Sequence, residues 1–221
     1  MAIPWKILGH AGSSDGILEL RQRGPKDFQI TLNGGVLMNS AANRSELALG
    51  TLGCKDLVSK APRVVVAGLG LGFTLRAALD ALPAHAKVVA AELNAAVAEW
   101  CRGPLVALTE SAVLDPRVTV KVADVLDVIR RAAEDPARRF DAIVLDLHTG
   151  PHAGTRSDDP AYGTGAIAEM KRALTAKGRL SVWGEAANQP YEDRLVRAGF
   201  RVTKSRPGAG GLRHVVYVAQ K

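Results

Sequence analysis

Cysteines, aromatic residues and long apolar runs are scarce in this chain of 221 residues, and each scarcity excludes a class of protein. The two cysteines, Cys54 and Cys101, lie far apart and outside any Cys-x-x-Cys pattern, so we expect buried thiols in a reducing compartment and no metal site. No apolar run approaches the ~20 residues that cross a bilayer, and the first residues lack the apolar core of a signal peptide. We therefore expect a cytoplasmic globular protein that is not inserted in a membrane.

Positive charge is concentrated towards the end of the chain. The formal net charge is +7, and residues 171–221 alone contain eleven Lys and Arg against three Asp and Glu. A basic face can attract nucleic acid or another anionic partner, but such charges more often form solvated helix faces. The aromatic residues, 5% of the chain, are not interleaved with these charges, which counts against base stacking. Nucleic acid is therefore not the partner that we expect.

Residues 1–60 have a different pattern from the rest of the chain. Segments 16–23 and 26–32 alternate apolar and polar residues, which is typical of strands, and Gly24-Pro25 between them indicates a hairpin. An Asn-Gly-Gly turn then leads into a short apolar segment, and a first helix follows it. We expect a small antiparallel β appendage and this helix in residues 1–60, ahead of a main domain in residues 61–221.

From residue 63 onwards, apolar strands alternate with helical segments. The predicted strands are 63–67, 87–92, 118–122, 140–146 and 179–184. The predicted helices lie near 73–82, 94–102, 124–133, 162–175 and 190–198. Because the early strands are continuous runs of Val, Ala, Ile and Leu, we expect both faces of the sheet to be covered. Right-handed crossovers between these strands predict a doubly wound, mostly parallel α/β sheet.

Two final strands, at 200–203 and 214–218, depart from this alternation. Segment 206–211 between them is too short to hold a crossover helix, so the two strands should pair antiparallel. A parallel sheet closed by such a hairpin, with seven strands in all, is the doubly wound fold typical of transferases that bind S-adenosylmethionine (SAM).

A glycine-rich turn follows the first strand of this domain. Gly68, Gly70 and Gly72 form a G-x-G-x-G pattern, with Phe73 where a dinucleotide-binding G-x-G-x-x-G motif would have its last glycine. Glycine lets the backbone turn tightly against a ligand, and the helix that follows offers free N–H groups. Glu92 ends the next strand, where its carboxylate can accept hydrogen bonds from two ribose hydroxyls. This layout favours a SAM nucleoside site over a purely structural turn.

Two more acids follow strand ends that should lie at the same edge of the sheet. Asp124 can contact the adenine amino group or cap the next helix, and the two roles are compatible. Asp146 opens a long loop, 147–162, that we expect to cover an acceptor molecule. Attack on a sulfonium carbon needs a placed nucleophile and a proton acceptor, and Asp146 or His148 can serve as that acceptor. Tyr162, at the end of the loop, completes the candidate catalytic set.

The assembled motifs resemble the spermidine synthase (aminopropyltransferase) family, and more closely its shorter bacterial spermidine-synthase-like group. Residues 68–79 parallel the family's G-G-G-D-G-G-x-x-R-E glycine loop. Glu92, Asp124 and Asp146 match the acid on the ribose, the acid near adenine and the first Asp of the catalytic D-S-S-D-P loop. The resemblance covers most of the chain and implies a homodimer.

The resemblance also implies two substrate-binding acids and shows two departures. Glu46 falls where the family has a His-Glu pair in its first helix, and Glu185 matches an acid after the fifth strand. Leu71 replaces the Asp of the glycine loop, and Thr149 stands at the second Asp of D-S-S-D-P. Polyamine acceptors are polycations whose pockets need several carboxylates, so these losses weaken the polyamine interpretation.

Three functions remain open from the sequence. The leading hypothesis is transfer of a group, most simply methyl, from SAM to a small nucleophile under the 147–162 loop. The second is aminopropyl transfer from decarboxylated SAM, with Asp146 as base. The third is a SAM-fold module without catalysis whose basic face binds an anionic partner.

Overall fold

The fold is described by a computed structural model, which covers residues 3–207 and 214–221. It contains a four-stranded antiparallel sheet followed by a seven-stranded sheet. The strands of the first sheet are β1 (Lys6–Ser13), β2 (Gly16–Arg23), β3 (Asp27–Leu32) and β4 (Gly35–Asn39). Within these described ranges, no helix is both long and apolar enough to span a membrane.

The seven-stranded sheet has the order β10-β11-β9-β8-β5-β6-β7. Its strands are β5 (Arg63–Ala67), β6 (Lys87–Glu92), β7 (Val118–Val122), β8 (Phe140–Leu145), β9 (Leu174–Gly184), β10 (Arg201–Ser205) and β11 (Val215–Gln220). Strands β5 to β9 pair in parallel, and β11 pairs antiparallel with both β9 and β10. The predicted α/β class, strand number and closing hairpin are therefore confirmed. Part of predicted segment 206–211, from residue 208 on, lies outside the described residues.

Six helices accompany the two sheets in the part of the chain that the structure describes. They are α1 (Arg44–Cys54), α2 (Phe73–Ala81), α3 (Ala95–Arg102), α4 (Val125–Glu134), α5 (Thr164–Ala173) and α6 (Gln189–Arg197), with short 3-10 turns at Val106–Thr109, Ala112–Leu114 and Pro136–Arg138. Side chains of Asn94, Asp124 and Asn188 accept hydrogen bonds from the first turns of α3, α4 and α6, as N-cap residues do. Helices on both faces leave the side chains of the central strand, Val64 to Ala67, without solvent exposure.

The small sheet packs on the main domain rather than standing apart from it. Leu18, Leu20 and Ile30 belong to one hydrophobic cluster with Leu69 and Leu71, which follow β5. This packing places the inner face of the small sheet over the glycine turn. Helix α1 packs mainly on α2 and also contacts β8, β9 and β11. The predicted boundary between two domains at residue 60 stays a prediction. Helix α1, which this prediction assigns to the first of them, packs on the large sheet of the second.

The sequence pattern missed one strand and shortened another. Strand β1 contains two glycines and a register shift between Ile7 and Gly9, so it has no clean alternation to detect. Strand β9 begins at Leu174, not at 179, because it continues through Lys177-Gly178, a pair that suggests a turn. A Cβ at Gly178 would lie 2.9 Å from the Leu174 Cβ and 3.1 Å from the Phe140 carbonyl oxygen, so glycine fits a tightly packed strand here.

Candidate active site

A cavity of about 960 Å³ lies over the carboxyl ends of the parallel strands. Its floor is formed by residues at or just after the carboxyl ends of β5, β6, β7 and β8, among them Gly68, Glu92, Asp124 and Asp146. The small sheet contributes an apolar wall that includes Ile30. Strands β5, β6 and β8 meet where the order of the sheet reverses, which is where ligands bind in doubly wound folds.

The glycine turn needs its glycines for two reasons. Gly68, Gly70 and Gly72 have φ values of 83°, 49° and 89°, in the left-handed region that side chains disfavour. Space is also lacking, since a Cβ at Gly68 would collide with the Asp146 carbonyl oxygen, and one at Gly70 would lie 2.7 Å from Met38 Sδ. Gly68 and Gly70 line the cavity, whereas Gly72 is the buried N-cap of α2.

Replacing Gly68 with alanine is expected to damage the nucleoside site and lower stability by about 2–4 kcal/mol. The added Cβ meets backbone, which cannot rotate away, and the residue keeps a strained φ. Chemical denaturation measures the loss. Gly165→Ala is the control, because a Cβ there would meet no described atom within 4 Å and Gly165 lies in α5, so this variant should gain up to about 1 kcal/mol. Equal stabilities for the two variants would contradict the conclusion that the backbone at position 68 requires glycine.

Glu92 connects the glycine turn to the next strand. Its Oε2 accepts a hydrogen bond of 2.9 Å from the Leu69 backbone N–H, and its Oε1 accepts one of 2.8 Å from the Asn94 N–H. The residue is only 9% exposed, yet it lines the cavity. Each carboxylate oxygen has a second lone pair, so the side chain can still accept two hydroxyl hydrogen bonds.

The position of Asp124 allows both roles that the sequence suggested, which are capping a helix and contacting a ligand. Its Oδ1 accepts a hydrogen bond of 2.8 Å from the Leu126 N–H and so caps α4. The residue is exposed and lines the cavity, with Oδ2 still able to accept a hydrogen bond. Capping and ligand contact are therefore compatible at this position.

Asp146 and Glu46 form an acidic pair at the inner end of the cavity. Thr74 Oγ1, at the start of α2, donates a short hydrogen bond to Asp146 Oδ2. The pKa of Asp146 is raised to about 7, mainly by burial and also by the negative charge of Glu46, while the Thr74 hydrogen bond opposes this increase. A carboxyl group with this pKa can accept or release a proton near neutral pH.

The other residues of the predicted catalytic set lie in the loop that borders the cavity. The Tyr162 hydroxyl is buried and has no hydrogen-bond partner within the described residues, and burial together with the charge of Asp146 raises its pKa. His148 is exposed and lines the cavity, with Nε2 4.0 Å from Asp15 Oδ2 of the small sheet's first hairpin. The cavity thus brings Asp146, His148 and Tyr162 together; their catalytic roles stay predictions.

One predicted residue lies apart, and several others were not anticipated. Glu185 is exposed and is not among the described residues that line the cavity, so a role in substrate binding stays a prediction without geometric support. Thr74 and Trp183 were missed, although each lies at the cavity end of its element. Only the position of Thr74, directly after the glycine turn, offered a sequence signal.

The charge of the cavity differs from that of the whole chain. Six acidic residues line it, and no Lys or Arg is among its described lining residues, although the chain carries a net charge of +7. The six are Asp15, Glu46, Glu92, Asp124, Asp146 and Asp159. Field lines in a low-dielectric cleft are focused, so this cavity favours positively charged ligands.

Comparison with known proteins supports the fold by structure and not by sequence. No protein-family model and no curated protein sequence matches the chain. The structure is similar to that of spermidine synthase from Thermotoga maritima, with a TM-score of 0.71 and 17% identity over 97% of this chain and 72% of that one. It is also similar to a spermidine synthase in complex with the transition-state analogue AdoDATO, with a TM-score of 0.69 and 17% identity over 97% and 72% of the two chains. At this identity, the resemblance to spermidine synthases is confirmed as one of fold.

Proposed function

We propose that the chain transfers an aminopropyl group from decarboxylated SAM to a small amine. The observation that carries this proposal is the acidic cavity, with six carboxylates and no Lys or Arg among its described lining residues. SAM has a carboxylate on its tail, which would meet like charges at Asp146 and Glu46. Decarboxylated SAM keeps the sulfonium and the ammonium of SAM but lacks that carboxylate, so its tail carries only positive charge, which this surface attracts.

The nucleoside part of the donor fits the outer half of the cavity. The ribose hydroxyls can donate to Glu92, and the adenine amino group can donate to the free oxygen of Asp124. The glycine turn leaves room for the sulfur-bearing chain to pass towards Asp146, since Gly68 and Gly70 line that path without side chains.

Asp146 is the group that we assign to proton transfer. The acceptor must attack as a neutral amine, and its nitrogen lone pair forms the new C–N bond while the C–S bond breaks and its electrons remain on sulfur. The sulfonium thus leaves as a neutral thioether, and the proton lost by nitrogen goes to Asp146. A pKa of about 7 suits this step, because the carboxyl is ionised often enough to accept the proton and can return it to solvent.

Methyl transfer from SAM, the first preference from the sequence, has less support. That preference rested on the carboxylates lost at Leu71 and Thr149 and on the basic composition of the chain. Asp15 and Asp159, which no motif indicated, restore acidic lining residues, and the basic residues that the structure describes lie outside the cavity lining. The fold likeness to a spermidine synthase bound to AdoDATO also favours aminopropyl transfer. Salt-dependent nucleic-acid binding without turnover would instead favour the non-catalytic module.

Side-by-side calorimetric titration with SAM and decarboxylated SAM tests the proposal. We expect the decarboxylated form to bind at least about tenfold tighter, which corresponds to about 1.4 kcal/mol. The ligand 5′-methylthioadenosine, which lacks the charged tail, is the reference for the nucleoside contribution. Glu46→Gln should narrow the difference between the two donors, because it removes one of the repelling charges. Equal or tighter binding of SAM would overturn the aminopropyl assignment.

A further inference from the structure

Three polar side chains form a hydrogen-bonded chain behind the acidic pair. Ser45 Oγ donates to Glu46 Oε2 at 2.6 Å and lies 2.9 Å from His214 Nδ1. Ser45 is only 2% exposed, whereas Glu46 and His214 are half-buried. Ser45 and Glu46 lie in the first turn of α1, whereas His214 directly precedes β11.

The hydrogens in this chain can be assigned by counting. A serine hydroxyl has one hydrogen, and at 2.6 Å that hydrogen is committed to the Glu46 carboxylate. His214 Nδ1 must then carry a hydrogen to make a favourable contact with the Ser45 oxygen at 2.9 Å. The direction of donation is therefore from His214 to Ser45 and from Ser45 to Glu46, and it restricts the orientation of the Glu46 carboxylate.

The Glu46 end of this series of hydrogen bonds faces the cavity. Glu46 and Trp183 both line it, and the His214 ring packs edge-on against the Trp183 ring with centroids 5.1 Å apart at 71°. A carboxylate beside an indole is a favourable environment for an alkylammonium group, through charge-assisted hydrogen bonds and cation–π attraction. We call Glu46, Trp183, Ser45 and His214 the ammonium corner.

We propose that Ser45 and His214 are positioning residues that hold the Glu46 carboxylate in a fixed orientation, so that the ammonium corner binds an ammonium group of the acceptor. This inference rests on the proposed function, because it assigns the corner to the amine acceptor. Neither residue contacts the nucleoside half of the cavity, since neither is among the lining residues that the structure describes. Their loss should therefore weaken binding of the amine and leave binding of the nucleoside unchanged.

The first test measures binding of 1,4-diaminobutane by calorimetry to protein saturated with 5′-methylthioadenosine, for wild type and for Ser45→Ala. We expect about tenfold weaker diamine binding in the variant, or about 1.4 kcal/mol, with unchanged affinity for 5′-methylthioadenosine. Ser45→Thr keeps a hydroxyl and should restore most of the affinity. Ser181→Ala is the matched control, because Ser181 is also buried but its hydroxyl has no partner in the described ranges.

Kinetics separates positioning from general damage. With decarboxylated SAM as donor, Ser45→Ala should raise the KM for the amine about tenfold and change kcat by less than about twofold. If Ser45→Ala bound the diamine as tightly as wild type does, the inference would be overturned, but the proposed function would stand. A wild-type protein that binds 5′-methylthioadenosine but no diamine would overturn the proposed function and, with it, the assignment of this corner.

The second test needs no substrate. Nitrogen chemical shifts of His214 report which ring nitrogen carries the hydrogen, and we expect the Nδ1–H form in wild type. Ser45→Ala should shift the population towards the Nε2–H form, because the hydrogen bond that selects Nδ1–H is lost. A bare Nδ1 in the wild-type protein would mean that Ser45 donates to His214 and not to Glu46, and would overturn the inference whatever the enzyme turns over.

Discussion

Asp146→Asn is expected to lower turnover by about 10²–10⁴-fold and to leave binding of 5′-methylthioadenosine within about threefold of wild type. The asparagine keeps the size of the side chain and an oxygen that can accept the Thr74 hydrogen bond, so the site should stay in place. It cannot accept a proton from the attacking amine. Single-turnover rates with decarboxylated SAM measure the loss, and calorimetry measures binding. Unimpaired turnover in this variant would exclude Asp146 as the base.

The same substitution has a second signature in the pH dependence of stability. The folded-state pKa of Asp146, about 7, lies above its ordinary value of 3.8. The folded protein therefore holds this proton where the unfolded chain has released it, so this group's contribution to stability falls as pH rises from about 4 to about 7. Asp146→Asn cannot lose a proton at this position, so its stability should not fall in this way. The free energy of unfolding of the variant, compared with that of wild type, should therefore increase between about pH 5 and about pH 8. Asp158→Asn, in the exposed part of the same loop, should behave like wild type.

Four of the predicted site residues that line the cavity could be located from the sequence for one physical reason. Gly68, Glu92, Asp124 and Asp146 lie at or within two residues of the carboxyl ends of parallel strands, and apolar runs that end in glycine or acid can be recognised in the sequence. Because the carboxyl ends of parallel strands meet at one edge, locating the strands also located these side chains. The prediction therefore covered the floor of the cavity and most of the large sheet.

The rest of the cavity depends on contacts between distant parts of the chain. Ser45 and His214 are 169 residues apart in sequence and meet because α1 packs on β11. Asp15 belongs to the hairpin turn between β1 and β2, and β1 itself has no alternation that would reveal it. A local sequence pattern does not show which side chains of the small N-terminal sheet lie near the 147–162 loop.

Net charge gave a misleading indication for a related reason. The described Lys and Arg residues of 171–221 lie outside the cavity lining, whereas ligand choice depends on charges inside a cleft. Arg179 illustrates the difference, since its guanidinium donates to the Leu52 and Lys55 carbonyl oxygens at the end of α1. This cation stabilises a helix end and does not line the cavity.

Glu92→Gln is expected to weaken binding of 5′-methylthioadenosine by about 10²-fold or more and to lower the midpoint of thermal unfolding. Glutamine has only one oxygen, so its NH₂ group must face either the Leu69 or the Asn94 N–H, and one of these backbone donors loses its acceptor. The ribose also loses a charged acceptor. Glu99→Gln, in α3 with a side chain 70% exposed, is the control and should change neither measurement. If Glu92→Gln bound the nucleoside like wild type, Glu92 would not be the acceptor of the ribose hydroxyls.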